Sequence, residues 1–176
     1  IRAALEEEVE SFVAISTDKA SNPASVMGAT KLLSERLVIA ANTYKGSRDT
    51  TFSCVRFGNV LGSSGSVVPV FYEHIKHGGP VTVTNPEMTR FVMPIGDAVD
   101  LVLGTNSRMT GGEVFVLKMP TFDVGTLADA MIERYAPEFG YEPSDIDVEI
   151  IGARPGERMH EKLISEDELS NTEELE

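Results

Sequence analysis

The stretch Phe12-Val-Ala-Ile-Ser-Thr-Asp-Lys-Ala-Ser-Asn-Pro-Ala-Ser-Val-Met-Gly-Ala-Thr-Lys31 decides how the chain folds. Its opening run, Phe12 to Ile15, is apolar and too short for a helix. It lacks the alternation of a half-exposed strand, so it reads as a buried parallel strand. Ligands commonly meet such sheets at the carboxyl ends of their strands, where Asp18 and Lys19 stand. Asn22-Pro23 then offers a helix start, with Asn as N-cap and Pro at the first helical position. Leu33, Leu37, Ala41 and Tyr44 recur at helical spacing, so a helix to about residue 44 is expected to lay that face on the sheet. Met27 and Lys31, four apart, share one face of its first turns, which can look back at Asp18 and Lys19.

Residues 1–10 read as the tail of a helix, and 45–49 as a loop leading to a second strand over 50–57. Strand, helix, strand implies a right-handed crossover and a parallel sheet. The second strand delivers Arg56-Phe-Gly-Asn-Val-Leu-Gly62 and then Ser63 to Ser66. That composition suits a flexible connection, and its place at a strand's carboxyl end suits a ligand. A helix is expected over 67–77, others over 94–109 and 123–135, the last with Leu127, Met131 and Ile132 facing the core. Strands are expected over 80–84, 87–93, 113–117 and 147–151. His74 and His77 lack further ligands at metal-site spacing and read as packing or surface residues. Pro155-Gly156, at the centre of Arg154 to Glu157, is the pairing a type II turn requires. From residue 164 acidic residues dominate, and a frayed tail is expected.

With 176 residues, 41% hydrophobic and 24% charged, the chain suffices for a domain with a sizeable core. A net charge of −13 argues against nucleic-acid binding. The single cysteine, Cys54, excludes an internal disulfide framework, fits a reducing compartment and reads as a small core residue. No apolar run approaches the ~20 residues of a membrane span. No membrane contact is therefore expected from this portion. A cytoplasmic location follows, and a membrane-anchored parent protein is compatible with it.

A strand ending in Ser-Thr and a helix carrying a residue-x-x-x-Lys pair resemble the active-site region of the extended short-chain dehydrogenase/reductases. There the pair is usually Tyr-x-x-x-Lys. Here Met27-x-x-x-Lys31 follows Thr17-Asp18-Lys19, a combination that resembles the UDP-N-acetylglucosamine 4,6-dehydratase family, particularly its CapD-type polysaccharide-biosynthesis members. Arg56-Phe-Gly-Asn-Val60, Thr89-Arg-Phe-Val-Met93 and Arg154-Pro-Gly-Glu157 continue the resemblance in order. The Gly-rich turn with which that family binds a dinucleotide is absent; Gly58, Gly62 and Gly65 follow the wrong element. The chain is therefore expected to be the C-terminal portion of a longer enzyme, 1–162, followed by an acidic tail, 163–176. The fold class implied is α/β, a partial Rossmann-like parallel sheet flanked by helices. A smaller α/β substrate-binding part is expected after about Gly58. Missing strands would leave an apolar edge and face, so a homo-oligomer is expected.

The resemblance implies NAD (or NADP) as cofactor and a UDP-sugar as substrate. It places Lys19 as the base that removes the C5 proton and Asp18 as the acid that assists loss of the C6 hydroxyl. Lys31 would hold the nicotinamide ribose and Thr17 the C4 hydroxyl. Met27 stands where a tyrosine usually accepts the C4 proton; a thioether cannot, which leaves water or Asp18. Asn59, Arg90, Arg154 and Glu157 would contact the nucleotide-sugar, the arginines at its diphosphate. On local grounds alone Asp18 and Lys19 read as an exposed ion pair of little worth, and Arg90 as a surface charge. A nucleotide-sugar epimerase, or a UDP-sugar-binding fragment without catalysis, are the competing functions.

Overall fold

A computed structural model describes residues 1–63 and 65–175; Ser64 of the Gly/Ser loop and Glu176 of the tail lie outside the described residues. In chain order the elements are α1 (Arg2–Glu6), β1 (Ser11–Thr17), α2 (Val26–Tyr44), β2 (Thr51–Phe57), β3 (Asn59–Val60), α3 (Val67–Lys76) and β4 (Val81–Val83). There follow β5 (Thr89–Met93), α4 (Ile95–Arg108), β6 (Val114–Val116), β7 (Thr121–Asp123), α5 (Val124–Tyr135), β8 (Val148–Ile150) and α6 (Glu166–Leu169). The chain forms two compact units. One is Ile1–Gly58 with Ile95–Lys118 and Lys162–Glu176, the other Asn59–Pro94 with Met119–Glu161. The break after Gly58 falls where a second part was expected, but the chain then returns to the first unit twice.

In the first unit β1, β2 and β6 make an all-parallel sheet in that order. β2 is central, and Phe52 to Arg56 are buried along it. β1 is only half-buried, contrary to the sequence expectation, with Ile15 55% exposed. It pairs with β2 on one side alone, and a strand is buried on both faces only where other layers cover it.

α2 corrects two further expectations. It starts at Val26, because Ser25 caps it by accepting a hydrogen bond from the Gly28 N–H, so Asn22-Pro23 precedes the helix. Its buried face consists of Gly28, Glu35, Val38 and Ala41, while Leu33, Leu37 and Tyr44 are more than half exposed. Val38 and Ala41 pack with Phe52 and Cys54 on the sheet. A glutamate takes an inner position because it finds a cation there, and the apolar row is left outside. α4 has the same character, with Ala98 and Thr105 buried and Ile95 and Leu103 exposed.

The tail is not frayed over its first part. α6 is closed by a capping box between Ser165 and Glu168, and the Glu168 carboxylate reaches the buried Arg56. Paired charge therefore holds this acidic segment where sequence alone predicted fraying.

The second unit combines β3, β5 and β7, in which β5 is parallel to β3 and antiparallel to β7, with the parallel pair β4 and β8. Phe71 and Ile75 of α3, Val81 and Val83 of β4, and Met131 and Ile132 of α5 form its core, the last two as the helical spacing of α5 predicted. Among the described residues no helix is long and apolar enough to cross a membrane.

Candidate active site

Parallel pairing with β2 carries β1 to Thr17, and the chain then turns through a single 3-10 turn, Asp18–Ala20. The turn buries Asp18 at 1% exposure. Its Oδ1 accepts three hydrogen bonds: from Thr17 Oγ1 at 2.8 Å, from the Lys19 N–H at 2.9 Å and from Lys19 Nζ at 3.0 Å. Oδ2 is buried and has no partner among the described residues, nor has the neighbouring Ser16 Oγ. An unsatisfied buried acceptor costs roughly 1–3 kcal/mol, a cost that commonly marks a functional group awaiting a partner. The exposed-ion-pair alternative therefore fails on burial, since the Asp18 side chain is 0% exposed and that of Lys19 31%.

α2 is pressed against this turn. A Cβ on Gly28 would stand 2.6 Å from the Lys19 carbonyl oxygen, so only glycine admits so close an approach. The first turns of α2 thereby bring Met27, 48% exposed, and Lys31 to the end of β1. Lys31 Nζ donates to the Ile15 carbonyl at 3.1 Å. Thr17, Asp18, Lys19, Met27 and Lys31 are thus brought together in the first unit.

The remaining expected residues lie in the second unit. Asn59 opens β3, with Val92 of β5 as its partner, two positions from Arg90. Arg90 Nη1 donates to the carbonyls of Thr89, Arg158 and Met159, tying β5 to the segment after the Arg154–Glu157 turn. In that turn Gly156 has φ +85°, as the expected type requires, and Glu157 accepts from the Arg154 N–H at 2.9 Å. Arg154 itself is exposed. His74 accepts from the Thr82 N–H, and no group of three or more His, Cys, Asp or Glu is placed to hold a metal among the described residues.

Sequence reasoning missed Arg56. It is 1% exposed in the middle strand and its guanidinium is shared by Glu35 and Glu168. Burial disfavours its charged form, but the hydrogen bonds it donates to both carboxylates outweigh that and hold the cation above its ordinary range. Burial, and then the Glu35 charge, push the Cys54 thiol up to about 12, so it is an inert core residue. The signal that was available was a charge inside an apolar strand run, which demands a buried counter-charge.

The sequence matches the model of the polysaccharide biosynthesis protein family over residues 1–176. The chain belongs to that family. Its fold is the Rossmann-like α/β arrangement of the extended short-chain dehydrogenase/reductases. An uncharacterized membrane protein of Methanocaldococcus jannaschii is 58% identical over 100% of this chain, which covers 53% of that protein. A UDP-N-acetylglucosamine 4,6-dehydratase (inverting) of Campylobacter jejuni is 43% identical over 100% of this chain and 50% of its own length. The X-ray structure of Pen from Bacillus thuringiensis aligns with a TM-score of 0.90 at 43% identity, covering 95% of this chain and 50% of that one. Proteins named UDP-glucose 4-epimerase, from Rickettsia, also stand among the relatives, at 37% identity. The chain spans about half the length of these relatives.

Proposed function

We propose that this chain supplies the substrate-binding and proton-transferring half of an NAD-dependent nucleotide-sugar 4,6-dehydratase acting on UDP-N-acetylglucosamine in polysaccharide or glycan synthesis. The observation that carries this reading is the buried Asp18, with one carboxylate oxygen saturated and the other unpartnered, bonded to the Lys19 amine at the end of a parallel strand. A dehydratase and epimerases among the relatives support the coarser statement, a nucleotide-sugar enzyme of polysaccharide biosynthesis.

When bound, NAD or NADP supplies the hydride acceptor for C4 and the donor for C6. The residues present fit its nicotinamide end: Lys31 reaches the end of β1 and would hold the ribose. A C4 ketone makes the C5 hydrogen acidic. Proton transfer along the Lys19 Nζ to Asp18 Oδ1 hydrogen bond converts ammonium and carboxylate into amine and acid. The Lys19 amine then takes the C5 proton, and Asp18 gives its proton to the C6 hydroxyl, which leaves as water. Once C6 is reduced the Lys19 ammonium returns a proton to C5, and the proton lost by the C4 hydroxyl restores the pair to ammonium and carboxylate. Thr17 fixes the Asp18 carboxylate and can accept a hydrogen bond from the C4 hydroxyl. Met27 exchanges no proton, so that of the C4 hydroxyl passes to water or to Asp18. Asn59, Arg90, Arg154 and Glu157 would hold the nucleotide-sugar, with Arg154 on the diphosphate.

Calorimetric titration of the chain with UDP-N-acetylglucosamine and, separately, NAD+ is the first test; binding of the sugar nucleotide alone is expected, without turnover. Coexpression with a dinucleotide-binding half should restore formation of a 4-keto-6-deoxy sugar. In D2O the product should carry deuterium at C5. Asp18→Asn and Lys19→Met should each lower kcat by about 10²–10⁴-fold. The relatives named epimerases favour the second reading, a C4 epimerase. A product that keeps its C6 hydroxyl would establish it, and absence of UDP-sugar binding by folded protein would sink both.

A further inference from the structure

The guanidinium of Arg56 has five N–H donors, and all five are used. Nε and Nη2 donate to the two oxygens of Glu35 at 2.9 and 2.7 Å. Nη1 and Nη2 donate to the two oxygens of Glu168, each at 2.7 Å. The second proton of Nη1 goes to the Leu163 carbonyl at 2.9 Å. This is a double fork, the geometry in which an arginine fixes position as well as charge. Glu35 lies 21 residues from Arg56 in sequence and Glu168 lies 112. Glu35 is on α2, one turn beyond Lys31 and on the same face. Glu168 is in α6, and its side chain also accepts from the Ser165 N–H at 2.9 Å.

The segment that carries Glu168 makes a further attachment. Ser21 Oγ, at the end of the 3-10 turn, donates to the Lys162 carbonyl as well as lying 3.1 Å from the Asp18 carbonyl. Residues 162–168 therefore hold the Asp18–Lys19 turn at one point and α2, through Arg56 and Glu35, at another. Arg56 is itself the register neighbour of Ser16, two residues before Asp18. Neither Arg56, Glu35 nor Glu168 has a place in the proton transfers described above.

We propose that residues 162–168 are a strap that positions the proton-transfer groups, with Arg56 and Glu168 as positioning residues. The strap sets the separation between the Asp18–Lys19 turn and Lys31 by clamping the helix of the latter against the strand of the former. Its role in turnover rests on the dehydratase reading; its role in ordering the turn and helix does not. Polar bonds tie it to Ser21 and Arg56, and the helix that bears Glu168 is four residues long. Loosening it should disturb geometry at the catalytic turn before it unfolds the core.

The test is amide hydrogen exchange on the chain with Glu168→Gln, which keeps the size of the side chain and removes the charged fork. Exchange is expected to rise about tenfold over residues 18–21 and 28–35, with α5 of the other unit unchanged. Arg56→Lys, which retains charge but not the fork, should reproduce the pattern. In the coexpressed assembly both variants should lower kcat about tenfold and leave KM within twofold, because substrate contacts are untouched. Faster exchange confined to residues 163–169, or a raised KM with kcat unchanged, would overturn the strap. Should the wild-type assembly make no dehydrated sugar, the dehydratase reading falls, and the exchange pattern still decides whether the strap orders the turn.

Discussion

The two faces of α2 differ in a way that inverts the usual reading of a helix. Its inner face carries a glycine, a glutamate, a valine and an alanine; its outer face carries Leu33, Leu37 and Tyr44. The inner face is selected for fit, as Gly28 admits a backbone carbonyl and Glu35 meets Arg56. Hydrophobicity alone therefore picks the wrong side, and close approach and charge pairing decide which side is buried.

The largest effect should come from breaking the inner face at its charge. Arg56→Ala leaves Glu35, 2% exposed, without its partner, and frees Glu168. Removing one member of a buried pair costs about 3–5 kcal/mol, because the remaining charge stays desolvated. Urea unfolding of the first unit should show a loss of that size. Replacing Arg56 and Glu35 together by apolar residues should recover part of it, which would separate the cost of an orphaned charge from the worth of the pair.

Gly28→Ala sharpens the comparison at a point of pure fit. Alanine in a helix interior is favoured over glycine by about 1 kcal/mol. Here the added Cβ meets a backbone carbonyl at 2.6 Å, and a backbone atom cannot swing aside. Overpacking of this kind costs about 1–3 kcal/mol, so a net destabilisation of about 1 kcal/mol is expected. Any dehydratase activity should fall by more than stability does, since the displaced atom belongs to Lys19. A more stable variant would mean that the helix stands farther from the turn than it does here.

Acid should loosen the same unit through two carboxylates. Glu113 is held down to about 2 because hydrogen bonds from Ser53 and Thr110 overcome its burial. Glu168 is held down to about 2 by its bond to Arg56, against its own burial. A carboxylate depressed from its ordinary 4.5 contributes its full stabilisation above that value and loses it as pH falls towards 2. Urea midpoints should therefore be level above about pH 5 and decline below it. Glu168→Gln should flatten part of that decline.

The parallel sheet, most helices and strands, and the cluster at the end of β1 were legible because they follow from apolar runs, periodicity and turn chemistry. Leu127, Met131 and Ile132 faced inward as their spacing predicted, and the second unit began where the Gly58 loop suggested. Other features were not legible. The helix start moved to Val26 because Ser25, and not Asn22, caps it by accepting from the Gly28 N–H. β7 was missed because its few residues, Thr121–Asp123, pair across the second unit with β5. The anchored tail was missed because Glu168 and Arg56 are 112 residues apart. Within the tail itself, only like charges are visible.

The smallest effect is expected on the outer face, and it tests the other half of the comparison. Leu37 is 51% exposed, so Leu37→Glu removes little buried area and should change the unfolding free energy by no more than about 0.5 kcal/mol. A stability change several times larger would show that the leucine row is covered in solution. Sedimentation separates the sources of such cover. If a second copy of the chain supplies it, as the expected homo-oligomer requires, wild-type protein should sediment as a larger species and Leu37→Glu as a single chain. If both sediment as single chains with equal stability, the row is bare in this polypeptide, and its apolar character is available to the remaining half of the length that the relatives possess.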